Sequence, residues 1–220
     1  MKMRALSTLA LFVLAWTAGP VLAADPLPPM PWMPKGFSVK SIDEQNLPES
    51  MKEKIRAKVR YMNEHKVIPA SEHEVADFAV IEAEHRARNK AHPSTTFTPS
   101  NLDATTLGGQ PLLGAVTHGV YNNNSWSGLS RLFSHPQLER VLLDETDLAT
   151  PGGGATFTKE MINADINGAP GMILSQQGSE KKSITRLMWY AGGMLYELSI
   201  PRVDDQSRDA LLDIARQLRR

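Results

Sequence analysis

The chain has 220 residues, no cysteine, and 24 basic against 24 acidic side chains. Without cysteine there is no disulfide, no thiol nucleophile and no Cys-ligated zinc or iron–sulfur centre. The charge balance shows no basic surplus for nucleic acid and no acidic surplus for a disordered tail. The length suits one domain, or one domain plus an appendage, with enough chain to bury a core.

Lys2 and Arg4 lead into an apolar stretch from Ala5 to Trp16, and Gly19-Pro20 break it. Val21-Leu22-Ala23-Ala24 then offers the small residues that a signal peptidase reads. This is the pattern of a secretory signal peptide over 1–23, cleaved near Ala23 or Ala24. The apolar stretch falls short of the roughly 20 residues of a membrane span. The expected product is therefore an exported chain, periplasmic or secreted, with no transmembrane segment. No Cys stands at the cleavage site to carry a lipid, and no twin-arginine pair precedes it, so the general export route is expected.

Residues 24–36 form a Pro-rich arm, DPLPPMPWMP at its centre, which proline stiffens into an extended conformation. Trp32 on this arm is a candidate anchor for a partner's aromatic groove, against the plainer reading of a spacer packed on its own domain. The segment 37–92 reads as mostly helical. Met51, Ile55, Val59 and Met62 make a narrow apolar stripe over 48–66, and Pro69 stops it. Ser71 and Glu74 are spaced as a capping box, opening a second helix to about residue 90 with Val75, Phe78, Ala79 and Ala83 inward. Two neighbouring helices with a short break predict a helical hairpin.

Residues 93–111, rich in Ser, Thr, Pro and Gly, read as a loop or linker. From 112 to 220 the texture predicts an antiparallel sheet with a C-terminal helix. Strands are expected over 112–121, 126–133, 138–148, 162–166, 172–177, 184–190 and 194–200. Asn167-Gly168 and Gly192-Gly193 supply turn residues that accept positive φ. Leu211, Ile214, Ala215 and Leu218 share one side of a last helix from about Asp205, with acids at its start and arginines at its end as the helix dipole prefers. The fold class expected is α+β: an N-terminal helical hairpin, then an antiparallel β meander covered by a C-terminal helix. There is no alternating strand–helix rhythm of a parallel α/β enzyme.

Motifs for chemistry are sparse. His73-Glu74-Val75-Ala76-Asp77 resembles a zinc-peptidase pair with Asp in place of the second His, and Glu84 lines up better with it than His85 does. His73, Asp77 and Glu84 are thus the metal candidates, weighed against a solvated charged face. Asn163-x-Asp165-x-Asn167-Gly168 begins like a calcium loop, but position twelve is Leu174, so a hairpin turn explains it better. Ser179-Glu180-Lys181-Lys182 matches S-x-x-K yet falls in a hairpin loop, and Gly152-Gly153-Gly154 lacks the Lys of a phosphate loop. No G-x-S-x-G occurs, and no cofactor is expected. Trp126, after the turn residues 122–125, joins Trp32 as a candidate binding residue.

The final strand–hairpin–strand–helix order looks like that of periplasmic sensor and lipid-carrier domains that regulate envelope stress. The likeness is architectural, covers at most roughly the last 60 residues, and carries no functional residue with it. The expected role is a non-enzymatic binding or protein-interaction module for an envelope protein or an apolar ligand. A hydrolase with a weak divalent-metal site, and a toxin-neutralising or envelope-assembly factor, are the alternatives.

Overall fold

The computed structural model describes residues 36–72, 74–89, 94–150, 153–178, 180 and 182–218. The expected signal peptide and Trp32 lie outside them, as does all of the Pro-rich arm but Gly36. In chain order the elements are β1 (Gly36–Lys40), α1 (Glu49–Glu64), β2 (Val67–Pro69), α2 (Phe78–Arg88), β3 (Leu112–Asn122), β4 (Ser125–His135), β5 (Glu139–Asp147) and β6 (Gly154–Thr158). After a 3-10 turn at Lys159–Met161 come β7 (Ala164–Ile166), β8 (Ala169–Gln177), β9 (Ser183–Ala191), β10 (Met194–Ile200) and α3 (Asp205–Gln217). Among the described residues no helix is long and apolar enough to cross a membrane.

The main sheet has eight strands in the order β2-β8-β9-β10-β5-β4-β3, with β7 beside β8. Strands β3, β4 and β5 form one antiparallel meander, and β8, β9 and β10 form another. The two meet through their last strands, β5 against β10. Three of the connections are two-residue hairpins with both residues at positive φ: Asn123-Asn124, Asn167-Gly168 and Gly192-Gly193. That geometry follows the right-handed twist of the flanking strands, and Asn and Gly reach it at least cost.

Alternation along β10 sends Met194, Tyr196, Leu198 and Ile200 to one face, where Leu143, Leu187 and Leu198 are fully buried. Burying each leucine contributes about 1.5–3 kcal/mol relative to exposure. The C-terminal helix covers this face as its pattern predicts, with Leu211, Ile214 and Ala215 buried and Leu218 packed beside them. Asp204 caps it by accepting from the Ser207 backbone N–H and hydroxyl, which hold its carboxyl at about 2.

The N-terminal helical hairpin is not what forms. The sequence 65–69 leaves the helix, and Val67, Ile68 and Pro69 pair in parallel with Ser175, Gln176 and Gln177 of β8. Pro69 is tolerated there because β2 is an edge strand. The sheet is therefore mixed and not a purely antiparallel meander. Ser71 and Glu74 do hydrogen-bond, at 2.9 Å, but as a local turn. The helix opens seven residues beyond Ser71, where Asp77 accepts from Ala79 N and Val80 N. Instead of packing as a pair, the two helices lie on separate parts of the sheet's second face. Ile55 of α1 joins Phe157, Met172 and Met188, under cover that includes Phe37 of the β1–β6 ribbon. Phe78 and Ile81 of α2 join Leu132, Leu142 and Ile184.

Candidate ligand site on the helix-covered face

Between those two apolar footprints the second face carries polar side chains. Alternation puts Glu197 and Ser199 of β10 there, opposite the Tyr196 and Leu198 side, and likewise Asp144 of β5, Ser130 of β4 and Arg186 of β9. Glu197 and Asp144 are register partners on adjacent strands, and so are Asp144 and Ser130. Directly opposed side chains start about 5 Å apart at Cβ, so the two carboxyl groups share one patch. Their side chains retain 21 % and 26 % exposure.

Arg186 is the cation of this patch. Its Nε stands 3.4 Å from Glu197 Oε1, and its Nη1 donates to Glu74 O at 3.1 Å and Gln176 Oε1 at 3.3 Å. Ser199 Oγ donates to the same Glu197 oxygen at 2.9 Å. Burial raises the Glu197 carboxyl to about 7, against the pull of Arg186, while Asp144 adds to the rise. Burial likewise raises Asp144 to about 6, with the Ser130 hydroxyl and Arg186 opposing and Glu145 adding. His118 of β3 brings Nε2 to 3.6 Å from Asp144 Oδ1. Its ring lies over Gly128, where a Cβ would overlap it. Burial lowers His118 to about 4, so it is neutral at pH 7 and leaves the acids unneutralised.

His85 of α2 completes the group. Its Nε2 lies 2.9 Å from Ser130 Oγ and its Nδ1 2.8 Å from Ile81 O. A carbonyl can only accept, so Nδ1 carries the proton and Nε2 is an acceptor, competing with Asp144 for the single Ser130 hydroxyl proton. Burial lowers the pKa of His85, and the Ile81 bond partly offsets this.

No family model matches this chain. No curated protein and no solved structure matches it either.

Of the residues singled out in the sequence, Trp32 and His73 lie outside the described residues. Trp126 is half-buried, with its ring 5.0 Å from that of Tyr121 and its backbone bonded to the 94–96 segment. It shares a strand face with Gly128 and Ser130, at the His118 end of the patch. Asp77 is the cap of α2 and pairs with Lys182 Nζ at 3.1 Å. Glu84 lies seven residues along, about 10 Å of helix rise away, too far to share an ion with it. Among the described residues no three His, Asp or Glu side chains are grouped to hold a metal.

The opposite face has its own ion pair. Arg131 Nη2 lies 2.6 Å from Glu145 Oε2 and donates to Ser100 O at 3.1 Å, while Ser100 N donates to Glu145 Oε1 at 2.9 Å. This pair fastens the loop that carries Leu102 and Leu107 over the α3 side of the core.

Proposed function

We propose that this chain is an exported binding protein whose ligand is an organic cation, received on Asp144 and Glu197. One observation carries the reading: two adjacent, partly accessible carboxyl groups meet, and the guanidinium against them, Arg186, pairs with Glu197 from the neighbouring strand on the side away from Asp144. Arg186 answers one negative charge, and a ligand ammonium or guanidinium would answer the other. The raised values of both acids mark a site where charge is held under strain, which a bound cation relieves. The lack of a three-ligand metal grouping among the described residues favours a molecular cation over a metal ion.

Titration calorimetry with ethanolamine, spermidine and arginine methyl ester tests this. Binding at pH 8 should weaken about tenfold or more at pH 5, as both acids take up protons. It should also disappear in the Asp144→Asn, Glu197→Gln double variant. No binding by any probe at pH 8, or equal binding by the double variant, overturns the reading. Export rests on the pattern of residues 1–24. N-terminal sequencing of the cell-envelope form should begin at Ala24 or Asp25.

A further inference from the structure

We infer that Ser130 is an acyl-accepting nucleophile with His85 as its base, and that its substrates are carboxylic esters of small acyl groups. This goes beyond cation binding and does not depend on it.

A serine hydroxyl becomes nucleophilic when a neutral imidazole takes its proton and a third group fixes that imidazole's tautomer. All three parts are present. Ser130 Oγ stands 2.9 Å from His85 Nε2, which is free to accept the hydroxyl proton that Asp144 also draws, and His85 Nδ1–H donates to Ile81 O over 2.8 Å. The Ile81 carbonyl takes the orienting place that a carboxylate fills in a Ser-His-Asp triad. Desolvation keeps His85 in its neutral, proton-accepting form at pH 7.

The base is also held firmly in place. Gly114 of β3 lies against the His85 backbone, where any Cβ would overlap the His85 carbonyl. One turn further on, the Asn89 side chain accepts from Ala115 N at 3.1 Å. Two separate contacts thus seat the end of α2 on β3, and the His85 ring reaches across to β4. Ser130 itself is 6 % exposed, but its cross-strand partner Asp144 keeps 26 % exposure. A reagent that reaches Asp144 is one side chain from Oγ, and the tight setting limits the acyl group to a small one.

The chemistry balances without a cofactor. Oγ forms a bond to the ester carbonyl carbon as its proton passes to Nε2. The carbon–oxygen bond to the alcohol then breaks, and the alcohol leaves with that proton. Water adds to the acyl-serine in the same way, giving its proton to Nε2, and the acid departs as Ser130 recovers its hydrogen. Nothing is oxidised or reduced.

The test uses the mature protein and p-nitrophenyl acetate, with peptide mapping after a short incubation. The expected result is an acetyl group on Ser130 and a burst of nitrophenolate of about one per chain. The rate should fall as the pH is lowered through the titration of His85, and it should drop at least tenfold in His85→Gln. Acetylation confined to lysines, or Ser130 acetylated equally fast in a folded His85→Gln variant, overturns the inference. If His85→Gln does not fold, mapping of the wild-type protein decides alone. An acetyl group on Ser130 then supports the assignment and its absence overturns it.

Discussion

Because burial lifts Asp144 from 3.8 to about 6 and Glu197 from 4.5 to about 7, the folded chain keeps protons that the unfolded chain has released. Stability from these two groups is therefore greatest below about pH 4 and declines as pH rises to about 7. His118 has the opposite sign. Its value falls from 6.5 to about 4, so its share is intact above pH 6.5 and lost as pH drops toward 4. Glu197→Gln keeps an acceptor for Ser199 and Arg186 but removes the buried charge. Thermal melts should show it more stable than wild type at pH 8 by about 1–3 kcal/mol, with no gain at pH 4. Gly128→Ala tests the His118 seat, since the new methyl must displace the ring. A cost of about 1–3 kcal/mol is expected, and NMR titration should show His118 returning upward toward 6.5. Of the six residues around Asp144 only His85 is noticed in the sequence, and there as a poorly placed metal ligand. Glu197 and Ser199 alternate with apolar neighbours, and a strand with one polar face reads as solvent-exposed until something is known to cover it.

At the scale of elements, the loop over the α3 face depends on one ion pair. Arg131→Met leaves Glu145, which is 1 % exposed, as an uncompensated charge, and should cost about 3–5 kcal/mol. Hydrogen exchange should then show residues 97–107 losing protection ahead of the sheet. Arg131→Met combined with Glu145→Leu should recover much of that loss. Asp77→Ala should destabilise by about 1 kcal/mol, since it removes the acceptor for two helix N–H groups and the partner of Lys182. Elements with local causes were readable. The positive-φ pairs made the Asn167-Gly168 and Gly192-Gly193 hairpins visible, and period-two and period-3.6 spacing made β10 and α3 visible. Strand β2 was not readable, because three residues ending in proline hold no pattern of their own and become a strand only by pairing with β8. The pairing of α1 with α2 failed for a related reason. An apolar stripe says that a helix is covered but not by what, and the sheet covers both.

At the scale of the whole molecule, the main sheet joins two three-stranded meanders along β5 and β10, and this junction has a kinetic consequence. Each meander is built from hairpins whose partners are near in sequence, so each can form early. Asp144 and Glu197 are 53 residues apart and become neighbours only when the last strand of one half finds the last strand of the other. That long loop must close before any contact rewards it. The carboxyl pair exists only once the two halves have met, and it announces itself by drawing protons from solution. Refolding in weakly buffered indicator dye at pH 6 should show proton uptake in the slowest phase, after most of the far-ultraviolet signal has returned. Uptake that keeps pace with the earliest signal would mean that the two halves meet first and the hairpins follow.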